Sequence, residues 1–209
     1  GEILKVGAPT AAGQLIMGIS MALILVILEP FGDRITAGYG AAISVDMIVV
    51  IPIFGLSGGL ITVAGMFFGA GRMDLVRRAA GHTFLWALLL AFLLGLAAWL
   101  ASPFMLRLFC DHPEAIGAGR EYLGWKVFIY PMMAYGVVAG RLLQGCGKGM
   151  PYLVINAVRL LLVCVPLAWL LVRWGWGPEG VWFAFLAGGA VAVLIAILWV
   201  RRLLAAGGE

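Results

Sequence analysis

The chain has 209 residues, of which 64% are hydrophobic and only 11% are charged. Soluble domains are about 45–50% apolar and about 25% charged, so the composition excludes an ordinary soluble domain and predicts a protein that lipid surrounds. The net charge of +4 is too small to indicate a nucleic-acid surface. At about 20 apolar residues per crossing, the chain has room for about six helices.

Apolar runs separated by charged loops divide the chain into predicted spans. Each span is predicted to be a helix, because lipid tolerates no unpaired backbone groups. The expected fold class is therefore all-α, a polytopic membrane protein built as a bundle of six transmembrane helices. In chain order the spans cover residues 9–28, 35–70, 83–102, 125–143, 152–171 and 181–200. An amphipathic segment, residues 103–122, separates the third span from the fourth.

The second span is longer than a bilayer requires. As one helix it would reach about 54 Å, against a hydrocarbon core of about 30 Å. Either it is a single long, bent helix, or it consists of two short crossings that turn near Pro52 and Gly55. The distribution of basic residues between the two sides does not distinguish these alternatives.

Basic residues do indicate an orientation. The loop over residues 72–78 and the tail Arg201-Arg202 carry the positive charge that is typical of the cytoplasmic side. Six spans then place both termini in the cytoplasm and Lys126 on the outer side. An aromatic belt is expected at the outer interface, formed by Trp125, Trp174, Trp176 and Trp182. The chain does not begin with Met, so we expect it to be a piece of a longer polypeptide.

Short motifs follow one another along the chain in a recognisable order. They are Gly7-Ala8-Pro9, Ala37-Gly38-Tyr39-Gly40, Gly65-Met66-Phe67-Phe68-Gly69-Ala70-Gly71-Arg72, Pro113-Glu114, Leu143-Gln144-Gly145-Cys146-Gly147, Pro166-Leu167-Ala168 and Gly180-Val181-Trp182. Together they resemble the MATE family of multidrug and toxin extrusion transporters, specifically its carboxy-terminal six-helix lobe. The resemblance covers nearly the whole chain.

This resemblance implies that the second span is one long helix and that residues 1–209 form a single lobe, half of a twelve-helix transporter. It implies a second six-helix lobe as partner, in the same parent chain or in a homodimer. Such transporters export organic cations and other amphipathic drugs in antiport with H⁺ or Na⁺, so a bacterial inner membrane is the expected location. Met17 stands where one branch of the family carries Glu, and that carboxylate is missing here.

Asp46 is the strongest candidate for ion coupling. It lies inside the second span, about 16 Å from the outer end, where an ionised carboxylate is costly unless a cation is close. Such a group can carry a proton; the alternative is a structural Asp that only holds helices together. Arg159, at a similar depth in the fifth span, is the candidate partner unless it extends toward the cytoplasmic interface. In the coupled case, protonation of Asp46 breaks the pair and releases the second span to bend at the hinge residues Pro52 and Gly55.

Polar, methionine and aromatic side chains within the spans are candidates for a substrate cavity. Methionine adapts to varied shapes, aromatic rings offer cation–π contacts, and neutral amides offer hydrogen bonds. For each of these residues, ordinary packing between helices is the alternative. The candidates are Gln14, Met17, Tyr39, Phe54, Tyr130, Met132, Met133, Tyr135 and Asn156.

Enzymatic, metal and cofactor functions have no support in the sequence. No nucleophile–base pair or metal-binding constellation is visible, and Cys110, Cys146 and Cys164 lack the spacing of a disulfide framework or a zinc site. The expected partners are membrane lipids, cationic small molecules and the coupling ion. Two alternatives remain: a flippase for lipid-linked sugars of the same superfamily, which would need a more basic cavity, and a membrane scaffold that transports nothing.

Overall fold

The computed structural model describes residues 2–206, with side chains over residues 7–205. Within that range all regular structure is helical: α1 Glu2–Leu28, a short 3₁₀ turn Glu29–Phe31, α2 Asp33–Gly69, α3 Met73–Leu106, α4 Pro113–Gly145, α5 Met150–Asn156, a π-helical segment Ala157–Cys164, α6 Val165–Arg173 and α7 Glu179–Ala206. Helix α5, the π-helical segment and α6 run on as one crossing. Gly1 and residues 207–209, which are predicted to be cytoplasmic, lie outside the described residues.

Six of these helical stretches are long and apolar enough to cross a membrane, which confirms the predicted fold class. The second crossing is one unbroken helix with Pro52 in its interior, so the alternative of two short crossings is wrong. Residues 103–122 do not form a separate segment. Their first part completes α3 and their last part begins α4, because a helix continues beyond the apolar stretch that defines a predicted span.

Helix α4 is the centre of the bundle. Over its most apolar stretch 72% of the residues are buried inside the protein, against 22–39% for the other five crossings. It packs against α2, α3 and α7. By contrast, α3 directs large apolar side chains such as Phe92, Leu93 and Leu100 outward, as a helix that faces lipid requires.

Helices α2 and α4 approach each other unusually closely at both ends of their contact. A β-carbon added at Gly38 would lie 2.2 Å from the backbone carbonyl oxygen of Ala115, and one at Gly145 would lie 2.6 Å from that of Ile61. Only glycine fits at such contacts, because the neighbouring backbone cannot move aside. These glycines therefore fix the register of α2 against α4, and this register positions the site.

Candidate functional site

A cavity lies inside the bundle, between α1, α2, α4, α5, the π-helical segment and α7. It has a volume of about 130 Å³ and is partly open. Drug-sized ligands occupy sites of about 300–1,000 Å³, so this chain alone surrounds only part of such a site. The wall includes the charged residues Asp46, Lys126 and Arg159, the tyrosines Tyr39, Tyr122 and Tyr152, the polar residues Ser20 and Asn156, and apolar residues such as Met17, Met21, Phe54, Met133 and Phe185.

The carboxylate of Asp46 has three polar partners from α4. The carboxylate is buried, with the residue 6% exposed, and it forms a salt bridge with the Lys126 ammonium, Nζ to Oδ2 2.8 Å. The Tyr122 hydroxyl donates to Oδ2 at 2.7 Å, and the Tyr130 hydroxyl donates to Oδ1. Asp46 therefore has one neutralising cation and two hydroxyl donors, which makes an ionised carboxylate tolerable at this depth.

The three partners of Asp46 come from one face of α4. Tyr122, Lys126 and Tyr130 are spaced four residues apart, so they stack along a single stripe of the helix. Asp46 is 13 residues beyond the first residue of α2, and Lys126 is 13 residues beyond the first residue of α4. At 1.5 Å per residue each lies about 20 Å along its helix, and the two helices start at the same end of the bundle. The matching depths bring the charges together.

The prediction that Lys126 lies on the outer side is wrong. Helix α4 begins at Pro113 rather than near residue 125, so Lys126 lies more than three turns inside it, and it is 8% exposed. The prediction for Trp182 is wrong for a related reason. Trp182 is 1% exposed and stacks on Tyr39 with ring centroids 5.6 Å apart, so it belongs to the core behind the site.

Aromatic rings surround the ammonium of Lys126. Its Nζ lies 5.1 Å from the ring centroid of Tyr122, 5.3 Å from that of Tyr130 and 5.8 Å from that of Phe185. These distances fall within the range of cation–π attraction, about 6 Å. We call the group formed by Asp46, Tyr122, Tyr130 and Phe185 the ammonium cage.

Arg159 lines the same cavity as Asp46, but the ion pair of Asp46 is with Lys126. The hypothesis of an Asp46–Arg159 pair is therefore corrected, because α4 delivers a nearer cation at the same depth. Arg159 belongs to the π-helical segment, whose wider turns hold an extra residue and are common at functional sites. Within the described part of the chain, no carboxylate forms a salt bridge with Arg159.

The predicted cavity residues separate into two groups. Those on the cavity wall are Met17, Tyr39, Phe54, Met133 and Asn156. Those away from it are Gln14, Tyr130, Met132 and Tyr135. The helical phase of α4 explains the positions of Met132 and Tyr135, because the face that carries Tyr122, Lys126 and Met133 is directed into the cavity.

Each residue of the second group has another environment. Gln14 is exposed in the middle of α1. Tyr135 packs on Phe84 of α3, with ring centroids 4.6 Å apart, and Met132 lies beside Gly189 of α7. Tyr130 is fully buried behind the wall, and it contributes its hydroxyl to Asp46 and its ring to the ammonium cage. The predicted hinge residues Pro52 and Gly55 are exposed within the continuous helix α2.

Sequence analysis missed Lys126 and Tyr122 as site residues. The signal that could have revealed them is their spacing, since Tyr122, Lys126 and Tyr130 recur every four residues and place a cation between two aromatic rings on one helix face. A lysine at such a position inside a membrane-spanning helix is expected to form an ion pair with a buried carboxylate rather than to lie at the membrane interface. Chemically, Asp46 can be an ionised carboxylate or a neutral carboxylic acid. The ionised form can retain a cation, and the neutral form can release it.

Comparisons with known proteins agree on one family. The family model described as MatE matches residues 9–170. The probable multidrug resistance protein YpnP of Bacillus subtilis is 25% identical over 86% of this chain and 40% of its own length, and the probable multidrug resistance protein NorM of Pseudomonas aeruginosa is 29% identical over 95% of this chain and 42% of its own length.

Solved structures give the same result. The crystal structure of MATE in complex with MaL6 superimposes with a TM-score of 0.91 and 25% identity, covering 99% of this chain and 47% of that chain. The chain thus spans less than half the length of the relatives that it matches.

Proposed function

Because this chain belongs to the MatE family, we propose that it forms one lobe of a secondary active efflux transporter, in which a buried carboxylate couples substrate export to ion entry. The observation that carries the proposal is Asp46, an acid held about 20 Å along α2, on the wall of an open cavity. Ionisable groups at such a depth are rare and costly, and they commonly mark proton and substrate pathways.

We propose a second six-helix lobe as the partner of this one, joined in the same polypeptide or contributed by a second copy. Two observations support it: the relatives are about twice as long as this chain, and the cavity of about 130 Å³ is too small for a drug-sized molecule. The mass of the native complex in lipid nanodiscs tests this. A mass equal to that of a single lobe would contradict it.

The proposed coupling step is protonation of Asp46. The groups that face it are Lys126, Tyr122 and Tyr130 on α4, with Tyr39 and Arg159 on the same cavity wall. With Asp46 ionised, the charged wall residues Asp46, Lys126 and Arg159 sum to one positive charge. A proton on Asp46 raises that sum by one unit and removes the anchor for a cation. Proton entry therefore favours cation release, which is the sign that antiport requires.

We propose H⁺ rather than Na⁺ as the coupling ion for this lobe. A proton needs one carboxylate oxygen, whereas a hard metal cation needs a shell of several oxygen ligands. Both oxygens of Asp46 already have partners. Among the residues that the structure describes, no group of three His, Cys, Asp or Glu side chains could hold a metal ion.

Dye transport in proteoliposomes that contain the native transporter tests the coupling. A pH gradient is imposed, and the movement of the cationic dye rhodamine 123 is recorded with and without it. We expect Asp46→Asn to abolish the response to the pH gradient, because the amide cannot take up a proton, while movement down the dye's own gradient persists. The matched control is Asp111→Asn, which removes an exposed carboxylate from the loop between α3 and α4.

Two outcomes would count against the proposal. Proton-driven export by Asp46→Asn at the rate of the unaltered protein would exclude Asp46 as the coupling group. Movement of the dye that is independent of pH in every protein would instead favour a membrane scaffold or a different transported molecule.

We further propose that the loop between α3 and α4 faces the outside of the cytoplasmic membrane of a bacterium, with both ends of the chain in the cytoplasm, as the basic loop over residues 72–78 indicates. Cys110 in the outer loop tests this with a membrane-impermeant maleimide. Burial, with a contribution from the charge of Asp111, raises the pKa of the Cys110 thiol, so labelling should be faster at alkaline pH. We expect labelling of Cys110 in intact cells, and labelling of a Lys148→Cys variant only after permeabilisation.

A further inference from the structure

The surroundings of the Lys126 ammonium have the composition of a binding site for an organic cation. A carboxylate oxygen lies 2.8 Å from Nζ, and three aromatic rings lie within 5.8 Å of it. A carboxylate combined with a cage of aromatic rings is the arrangement by which proteins recognise alkylammonium groups. In this chain the ammonium inside the cage belongs to the protein itself.

The caged ammonium is also in a position to leave. Lys126, Asp46, Tyr122 and Phe185 all line the open cavity, and the Lys126 side chain is 10% exposed. Lysine carries its charge on a flexible four-carbon chain, so the head group can move without a shift of α4. The cage therefore communicates with the space through which a small molecule would enter.

The cage has room for one cation at a time. Asp46 provides a single negative charge, and Arg159 adds a second positive charge to the same wall, with no salt bridge to a carboxylate among the described residues. A second cation beside Lys126 would be repelled by both Lys126 and Arg159. An incoming cation can be accepted only if it takes the place of the lysine head group.

We propose that the ammonium of Lys126 is a tethered occupant of a site for primary organic ammonium ions, and that a substrate cation binds to the ammonium cage by displacing it. This inference rests on the proposed function and names the substrate class that this lobe would take: amphipathic molecules bearing an alkylammonium group. It also gives Lys126 a regulatory part, since the lysine keeps Asp46 neutralised whenever no substrate is present.

Chemical rescue of a truncated lysine tests the inference on the native protein in lipid nanodiscs. Lys126→Ala removes three carbon atoms and the ammonium, which together correspond to n-propylammonium. We expect n-propylammonium at about ten times its Kd for Lys126→Ala to raise the Tm of that variant by about 4 °C. The Tm of the unaltered protein should rise clearly less, because there the added cation must first displace the Lys126 ammonium. The neutral molecule 1-propanol, which has the same size, should have no such effect.

Three further variants isolate the cage. Lys126→Met fills the vacated space with an unbranched apolar chain and should not respond to n-propylammonium. Combining Asp46→Asn with Lys126→Ala removes the carboxylate and should abolish the rescue. Lys148→Ala, which removes an exposed lysine from the loop after α4, should show no rescue either.

Each outcome supports or overturns the displacement of Lys126 by an organic ammonium ion. If Lys126→Ala is recovered in folded form only when n-propylammonium is present, the inference is supported without a Tm measurement. Equal rescue by 1-propanol, an equal shift of the unaltered protein, or no recovery with either molecule would overturn it. Because these measurements need no gradient, their failure leaves proton coupling at Asp46 untouched, and that coupling is tested separately by dye transport through Asp46→Asn.

Discussion

Helices α2 and α4 share two ion pairs of nearly equal length in opposite surroundings. Asp46 and Lys126 approach to 2.8 Å with side chains only 9% and 10% exposed, whereas Arg34 and Glu114 approach to 2.7 Å with side chains 59% and 67% exposed. The first pair lies about 20 Å along both helices, and the second lies at their starting ends. Each pair joins a carboxylate to a basic side chain at nearly the same distance, so the main difference between them is how far solvent reaches the charges.

The comparison teaches that proximity alone does not make an ion pair functional. Water and salt screen the exposed pair, so it contributes little beyond alignment of the helix ends. The buried pair cannot exchange its partner for water, and the loss of either member leaves an uncompensated charge. A proton or a competing cation that binds to Asp46 therefore changes the interaction between α2 and α4. The same binding at Glu114 has little effect, because water compensates for the change in charge.

The largest expected effect follows from removing Lys126. We expect Lys126→Met to lower the free energy of unfolding by about 3–5 kcal/mol, because Asp46 would stay buried without its cation. Unfolding in mixed detergent–lipid micelles measures the change. The double variant Asp46→Asn with Lys126→Met should recover part of the loss, and a double variant that is less stable than Lys126→Met would contradict the pairing.

A smaller effect is expected where the two helices are in closest contact. We expect Gly38→Ala to lower the free energy of unfolding by about 1–3 kcal/mol, because its β-carbon would meet the backbone carbonyl of Ala115 and force α2 away from α4. Gly40→Ala is the matched control, two residues further on, where a β-carbon meets nothing within 4 Å. Equal destabilisation by the two substitutions would show that helix contact is not the cause.

Removal of one hydroxyl from the site should lower the free energy of unfolding by less than either of these changes. Tyr130→Phe deletes a hydrogen bond to the Asp46 carboxylate, and bonds to charged groups contribute about 1.5–3 kcal/mol. We expect a loss near the lower end, because Tyr122 and Lys126 continue to hold the carboxylate. The same unfolding assay measures it, with Tyr135→Phe as the control outside the site; equal losses for both would remove Tyr130 from the cluster.

The smallest effect is expected at the exposed pair. Arg34→Gln and Glu114→Gln should leave stability and proton-driven transport unchanged within error, because solvent replaces the lost partner. Transport and unfolding measured at low and high salt check this. A loss of coupling in either variant would mean that the helix starts contribute to the transport step, and the contrast between the two pairs would then disappear.

The number of membrane crossings was predictable, because lipid imposes both the length and the polarity of each helix. The boundaries of α4 were not. Its mean hydropathy over the most apolar stretch is 1.2, against 2.2–2.5 for the other crossings, because α4 is surrounded by protein rather than by lipid. A helix that is surrounded by protein can contain Lys126. Because this lysine interrupts the apolar residues, the span predicted from the sequence is shorter than the helix itself.

The candidate site was predictable only in part, and for a related reason. Asp46 stands out because a carboxylate in an apolar helix needs an explanation. The face of α4 that meets it cannot be derived from periodicity, since a helix that is buried all round has no polar side to set the phase. Met132 and Met133 are therefore equivalent in sequence, and only the packing of α4 against α2 and α7 directs Met133 into the cavity.

The π-helical segment Ala157–Cys164 has a consequence for how the fifth crossing can move. Its i→i+5 pattern is wider than that of an α-helix, so a segment of this kind accommodates an extra residue within the crossing. If the position of that extra residue migrates along the backbone by a turn, the residues it passes rotate by about 100° about the helix axis, since an α-helix has 3.6 residues per turn. A rotation of that size would change the direction of Arg159 relative to the cavity that it lines, so the position of the extra residue decides which side chains of this crossing reach the cavity.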